Sequence, residues 1–141
     1  MGAAKAIIDD VWEIIESQKL DRLDDVMATD VEFHMPGMDA KGLDQLKGML
    51  GAYVEAFPDL HHEVLDYVES GDRIALELVV TGNHTGTMRT PNGDVAASGK
   101  RVVWESVDYI KLTQGKIASW HVYHDPTPFL TALGLAPGAS A

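Results

Sequence analysis

Residues 104–125 constrain the fold more than any other part of the sequence. Two strand-like runs, 102–112 and 116–123, flank a turn at Thr113-Gln114-Gly115, a pattern typical of an antiparallel hairpin. Side chains alternate across a strand, so one face of the first run carries Trp104, Ser106, Asp108 and Ile110. One face of the second run carries Trp120, Val122 and His124. If these faces coincide, an acid and a histidine share a space walled by tryptophans, which predicts a small-molecule site.

The segments before this hairpin predict both helices and strands. Amphipathic spacing indicates a first helix around residues 7–16, a short helix at 20–27 and a third helix over about 42–57 that ends at Pro58. Strands are predicted at 31–35, 60–68 and 73–81, a loop or lid at 88–100 and a helical turn at 129–133. This order predicts an α+β fold, in which a strongly curved sheet forms a cone around the N-terminal helices and an internal apolar cavity.

Length and composition limit the possible functions. The 141 residues suit a single domain, predicted over 1–135, followed by a mobile tail at 136–141. Eleven basic residues against 22 acidic ones give a net charge of −11, which disfavours nucleic acid and anionic membranes as partners. The absence of cysteine excludes disulfides and thiolate sites. No apolar run reaches transmembrane length, and we expect a cytoplasmic protein.

Several short motifs, in this order and at this spacing, resemble one known family. They are FPDLHHEV, SGDRIAL, GNHTG, SGKRV, VDYIKLTQGKI, SWHVYHD and FLTALGL. The chain looks like a SnoaL-like polyketide cyclase of the nuclear transport factor and ketosteroid isomerase superfamily. This resemblance implies a cone-shaped α+β fold, a homodimer formed through the sheet, and a deep apolar cavity that needs no metal or organic cofactor.

One departure from the family pattern leaves the activity open. The resemblance places the essential Asp of the cyclases at position 122, where this chain has Val. The acid of the oxyanion hole in ketosteroid isomerases corresponds to Asp108, and that enzyme is a known case of a carboxylic acid kept neutral by an apolar site. The general base of that isomerase would fall near Met35 and its Tyr near Val11, so neither role is present.

Three activities therefore remain open. The leading hypothesis is acid and base catalysis on a hydrophobic carbonyl compound, by aldol-type cyclisation or isomerisation. The alternative is a non-catalytic ligand-binding or dimerisation module of the same fold, because Val122 cannot transfer a proton. The third is an epoxide hydrolase, in which Arg89 and Asp94 of the predicted loop would have to converge with a further acid.

The candidate catalytic residues are Asp108, His124 and His34. Burial among apolar residues would raise the pKa of Asp108 and make it a hydrogen-bond donor or general acid. His124 or His34 would move the proton, although strand alternation lets either His34 or Met35 line the pocket, not both. The predicted substrate-binding residues are Trp104, Trp120, Val122, Ser106, Trp12, Tyr53 and Phe57.

The remaining polar residues are less specific. Glu77 suits either a pocket acid or an interface, and His84 suits a loop-positioning role. His61 and His62 are adjacent on a strand and point to opposite faces, so they are not expected to form a paired metal site. No other histidine and carboxylate set has metal-ligand spacing, and the expected partner is a small hydrophobic molecule.

Overall fold

The computed structural model describes residues 3–90 and 93–134, with the side chain of Ala132 excepted. Helix α1 spans Ala3–Glu16, and a 3-10 helix over Leu20–Asp25 replaces the short helix predicted there. Helix α2 spans Leu43–Ala56 and helix α3 spans Thr127–Ala132. The predicted tail at 136–141 lies outside the described residues.

In the described part of the chain, eight strands accompany the helices. They are β1 (Met27–Met35), β2 (Met38–Lys41), β3 (His61–Ser70), β4 (Arg73–Asn83), β5 (Met88–Thr90), β6 (Gly93–Val95), β7 (Arg101–Thr113) and β8 (Lys116–His124). Six of them form one sheet in the order β2-β1-β8-β7-β4-β3, and β5 with β6 forms a small hairpin. The segment predicted as a loop at 88–100 therefore contains two short strands. Pairing in the main sheet is antiparallel except between β1 and β8, so the sheet is mixed.

The hairpin of β7 and β8 forms as the sequence predicts. Gln114 and Gly115 both have positive φ, 52° and 77°, which is the backbone of a type I′ turn and matches the twist of the flanking strands. Thr113 pairs with Lys116 at the turn, and Asp108 lies directly opposite Val122 farther along the ladder. The inward face of β7 is the predicted one, because Ser106, Asp108 and Ile110 are buried.

Breaks in strand register curve the sheet around the helices. Register shifts occur between Val64 and Asp66 on β3, between Met27 and Glu32 on β1, and between Lys111 and Leu112 on β7. Such irregularities bend a strand and increase its twist. Helix α1 packs against β3 and β4, and α2 against β1 and β2. The predicted α+β cone is confirmed.

Capping and packing fix both long helices to the sheet. The carboxylate of Glu69 on β3 accepts hydrogen bonds from the backbone N–H groups of Ala4 and Lys5, at 3.1 and 3.2 Å. These donors have no partner within a helix, and a negative charge is favourable at this end. At the C-terminal end of α2, the N–H of Gly86 donates to the carbonyl oxygen of Ala56. The segment after β4 is thereby held against the end of α2.

We expect Gly86→Ala to lower the free energy of unfolding by about 2–3 kcal/mol. A Cβ atom at this position would overlap the carbonyl oxygen of Glu55, which belongs to helical backbone and cannot move away. The matched control is Gly48→Ala in α2, where an added Cβ meets nothing within 4 Å. It should raise stability by about 0.5–1 kcal/mol. Urea denaturation of the two variants checks both signs, and equal stabilities would contradict this packing.

Candidate active site

Asp108 is the buried acid at the centre of the concave face. Asp108 is 2% exposed, and both of its carboxylate oxygens have hydrogen-bond partners. Ser106 Oγ lies 3.0 Å from Oδ1, and the indole N–H of Trp120 donates to Oδ2 over 3.0 Å. Burial raises the pKa of Asp108 to about 6, although the bonds from Trp120 and Ser106 oppose that rise. The carboxyl group therefore exchanges a proton near neutral pH.

An apolar pocket of about 70 Å³ adjoins this carboxylate, and we call it the inner pocket. Its walls come from α1, α2 and five strands of the main sheet. The lining residues are Trp12, Ile15, Phe33, Met35, Leu50, Tyr53, Leu60, His62, Leu78, Val80, Trp104, Ser106, Asp108, Trp120 and Val122. Trp120 is held edge-on by Phe33 at 5.0 Å and by Trp12 at 5.7 Å between ring centroids.

A histidine that sequence reasoning missed also lines the inner pocket. The side chain of His62 is 8% exposed and stacks on Trp12, with ring centroids 4.3 Å apart. Its Nδ1 lies 2.9 Å from Glu16 Oε2, and its backbone N–H donates to the same oxygen. A carboxylate only accepts hydrogen bonds, so Nδ1 carries the proton and Nε2 remains available to a ligand.

Glu16 keeps its charge despite its position at the edge of the core. Burial alone would raise its pKa, but hydrogen bonds from His62 and His61 outweigh that effect and lower the pKa below its usual value. Strand alternation predicts that His61 and His62 point to opposite faces, yet both rings bond Glu16, one at each carboxylate oxygen. The sequence feature that could have indicated this site is Glu16, an acid at the end of the amphipathic helix. Only the tertiary fold brings it to His62. Among the described residues, no group of three or more His, Asp or Glu is arranged to hold a metal ion.

One donor in the inner pocket has no acceptor. The indole nitrogen of Trp12 is buried and finds no hydrogen-bond partner among the described residues. An indole N–H can only donate, and an unpaired buried donor is unfavourable. A ligand oxygen in the inner pocket would supply an acceptor for this group. The predicted role of Trp12 as a lining residue thus gains a polar component.

The structure separates the other predicted site residues from Asp108. His34 faces the opposite side of β1, where it bonds Asp39 and packs against His121 and Tyr123, because Met35 takes the inward position. Its predicted catalytic placement is therefore wrong.

His124 lies beyond the inner pocket, near the end of β8. Phe57 is buried in the core against His84 and Trp104 and does not line the inner pocket. The remaining predicted lining residues do line it: Trp104, Trp120, Val122, Ser106, Trp12 and Tyr53.

Three further polar residues from the sequence analysis lie outside the inner pocket. Glu77 is exposed on the outer face of the sheet and does not line the inner pocket. His84 accepts a hydrogen bond from the Ser98 backbone N–H at 3.1 Å and holds the segment before β7, as a loop-positioning residue does. Arg89 pairs with Glu55 and Asp94 at the exposed surface, so these groups do not converge on Asp108 as an epoxide hydrolase would need.

The sequence and the fold together decide the family. A profile of the SnoaL-like polyketide cyclases matches residues 4–133. The chain belongs to the SnoaL-like polyketide cyclase family. Among proteins with curated functions, none is significantly similar to it in sequence.

Solved structures share the fold of this SnoaL-like protein at low sequence identity. AclR, a candidate hydroxylase from Streptomyces galilaeus, is 24% identical with a TM-score of 0.80, covering 97% of this chain and 99% of its own. IdmH, a candidate polyketide cyclase from Streptomyces antibioticus, is 24% identical with a TM-score of 0.76, covering 93% and 98%.

A candidate SnoaL-like polyketide cyclase from Jannaschia sp. CCS1 is 19% identical with a TM-score of 0.81, covering 96% of this chain and 94% of its own. At these identities the likeness extends to the fold alone. Within residues 3–90 and 93–134, no helix of this protein is long and apolar enough to cross a membrane.

Asp108→Asn should stabilise the protein at pH 8 by about 2–3 kcal/mol. The folded state raises the pKa of Asp108 from 3.8 to about 6, so the stability this group contributes is present below pH 4 and lost as the pH rises through 6. Asparagine removes the buried charge and can still accept from Trp120. Urea denaturation at pH 8 and pH 4.5 should show the gain shrinking at the lower pH. The exposed Asp10→Asn should change stability by under about 0.5 kcal/mol at both values.

Proposed function

We propose that this SnoaL-like protein is a cofactor-free acid and base catalyst for a small, largely apolar carbonyl compound. The reaction class is isomerisation or aldol-type cyclisation through an enolate. The observation that supports this most strongly is Asp108, a carboxyl group buried in an aromatic-lined pocket with a pKa raised to about 6. Burying an ionisable group without an ion pair is costly, and such groups concentrate at functional sites.

Asp108 is the proposed donor to the developing enolate oxygen. With a pKa of about 6, about half of the carboxyl groups are neutral at pH 6 and about a tenth at pH 7. Trp120 can only donate to Oδ2, so the proton of the neutral form resides on Oδ1, beside Ser106. The Trp12 indole N–H is buried and unpaired among the described residues, and we assign it as a second donor for the same oxygen. Donors fixed in a water-poor pocket stabilise negative charge as it forms.

His62 is the proposed base. Glu16 holds Nδ1–H of the ring and stabilises the imidazolium that forms when Nε2 accepts a proton from the carbon beside the carbonyl group. The electron pair of the broken C–H bond forms the C=C bond of an enol as the carbonyl oxygen takes the proton of Asp108. When the carbonyl group re-forms, its oxygen returns this proton to the Asp108 carboxylate. The His62 proton then goes to another carbon, which gives an isomer, or to the alkoxide that forms when the enol carbon attacks a second carbonyl, which gives a cyclised aldol. This base takes the role predicted for His34 or His124.

The position of Asp108 relative to Val122 supports the proposal. The family resemblance puts the essential cyclase Asp at 122, and in this chain Asp108 occupies the directly opposite position on the neighbouring strand. Side chains of such a cross-strand pair begin about 4.5–5.5 Å apart at Cβ. A carboxylate at 108 can therefore reach the space that a carboxylate at 122 would reach.

A non-catalytic binding module is the second candidate. Both oxygens of Asp108 already have protein partners, an arrangement that also suits a carboxylate that only shapes an apolar binding pocket. In that case the protein would bind the same class of molecule and release it unchanged. The two functions differ in whether protons of a bound ketone exchange with water.

Exchange of the α-protons of cyclohexanone in D2O, followed by NMR, tests the proposal. We expect measurable exchange with the wild type at pH 6 and a decline as the pH rises further, because the neutral form of Asp108 is lost. Asp108→Asn and His62→Gln should each lower kcat/KM by about 100-fold or more. Since Asp108→Asn is expected to be more stable at higher pH, its lost activity would not reflect unfolding.

The matched control for the base is His121→Gln. His121 packs against His34 and Tyr123, away from the inner pocket, so exchange should stay within about threefold of wild type. Equal activity of the wild type and Asp108→Asn would overturn the catalytic assignment. Binding of cyclohexanone, seen as a change in tryptophan fluorescence, without any exchange would favour the binding module.

We also propose that the protein forms a homodimer through the outer face of the sheet, as the family resemblance implies. Large apolar side chains are exposed together on β3, β7 and β8. They are Leu65, Val68, Val103, Val107 and Tyr123, of which Val68 is 71% exposed. Apolar side chains clustered on one surface favour association. A second copy offers the same surface, so each apolar patch can cover the other.

Val107→Lys should shift the protein from dimer to monomer in sedimentation experiments. The lysine would place a charge at the centre of the exposed apolar face without touching the core, since Val107 is 47% exposed. Ala6→Lys on the exposed side of α1, away from this face, is the control for the added charge. A wild type that is monomeric at micromolar concentration would contradict the proposal.

A further inference from the structure

A second pocket of about 370 Å³ lies next to the inner pocket, and we call it the outer pocket. It is formed by the turn after β1, the beginning of β2 and β5, the end of β8, and α3. Residues that contribute to the argument are Met35, Met38, Tyr53, His124 and Leu130. Its volume is in the range of small-molecule sites, roughly 300–1,000 Å³, whereas the inner pocket is far below that range.

Tyr53 and Met35 form the wall between the two pockets, because both residues line both of them. The only bond between their side chains is weak, with Tyr53 Oη donating to Met35 Sδ at 3.8 Å. Burial raises the pKa of Tyr53 to about 12, so the phenol stays neutral. Methionine is unbranched and changes rotamer easily. Displacement of the Met35 side chain would therefore join the pockets without moving the backbone.

His124 gives the outer pocket a polar end. Both of its ring nitrogens are buried, and neither has a hydrogen-bond partner among the described residues. A neutral imidazole always offers one donor and one acceptor, and leaving both unpaired in a buried site is unfavourable. His124 pairs in register with Ser106, which itself bonds Asp108. The polar groups of the two pockets are thus neighbours along the ladder of β7 and β8.

We propose that the outer pocket is a second ligand chamber that accepts the tail of an elongated apolar molecule, with a hydroxyl or carbonyl group of that tail bonded to His124. Met35 and Tyr53 separate the chambers when no ligand is bound. The inference deepens the proposed function, in which the reacting carbonyl occupies the inner pocket, but it concerns binding and is measured without catalysis. It assigns the substrate class as a long molecule with polar groups at both ends.

Binding of 4-alkylphenols tests the chamber, with the phenol head as a carbonyl analogue for the inner pocket. Isothermal titration of the wild type should show affinity rising about fourfold for each methylene added from propyl to heptyl. Leu130→Trp should fill the outer pocket, so the gain should stop while the affinity for phenol itself stays within twofold. Ala6→Trp on the exposed side of α1 is the control and should leave the whole series unchanged.

A second variant tests the polar end. His124→Leu should lower the affinity of a 4-(6-hydroxyhexyl)phenol by about fivefold and leave that of 4-hexylphenol within twofold. This variant also covers the case in which Leu130→Trp fails to fold, which circular dichroism would reveal. A chain-length dependence that is the same in wild type and Leu130→Trp, or that is absent from the wild type, would overturn the inference. Equal effects of His124→Leu on both phenols would overturn the role of His124.

The failure of the proposed function gives a different pattern. If the protein exchanges no ketone protons but shows the chain-length series, it is a two-chamber binding protein and the inference stands. If it exchanges ketone protons but binds long phenols no better than short ones, the inference fails and the catalytic proposal stands. Asp108→Asn should lose exchange and keep the chain-length dependence, because Asp108 does not line the outer pocket.

Discussion

Two hydrogen bonds stabilise the buried carboxylate of Asp108, one donated by the Trp120 indole and one by the Ser106 hydroxyl. Without them, a carboxyl group with 2% exposure would be a large unfavourable term in the core. The rest of the concave face is arranged around this group. Trp120 is fixed edge-on by Phe33 and Trp12, so the strand that supplies the indole and the helix that covers it both contribute to holding the acid.

The same arrangement sets stability against the proposed function at this site. A neutral side chain in place of Asp108 would remove the cost of burying charge, yet it would also remove the proposed proton donor. Proteins often retain destabilising groups at functional sites. Glu16 and His62 show the opposite balance, because their mutual bonds lower the pKa of Glu16 despite burial and keep a charged partner beside the imidazole.

The two pockets give the family fold a specific shape in this protein. Apolar walls dominate both. The inner pocket also contains Asp108, Ser106 and His62, and the outer pocket contains His124. Methionine and tyrosine side chains, not backbone, separate them. A wall of this kind lets the pocket volume adapt to the ligand while the cone itself stays rigid, since the sheet and both long helices are fixed by the ladder and by caps such as Glu69.

The sequence by itself determined the α+β cone, the β7–β8 hairpin with its Gln114-Gly115 turn, and the inward row of Ser106, Asp108 and Trp120. Period-two alternation and turn chemistry are local, so they can be read without knowing what lies opposite. Tertiary structure alone decided that Met35 and not His34 faces inward. It also brought Glu16 to His62 across 46 positions of sequence and gave His124 a pocket of its own. Those outcomes depend on how α1 and α3 dock on the curved sheet, and no local pattern encodes that geometry.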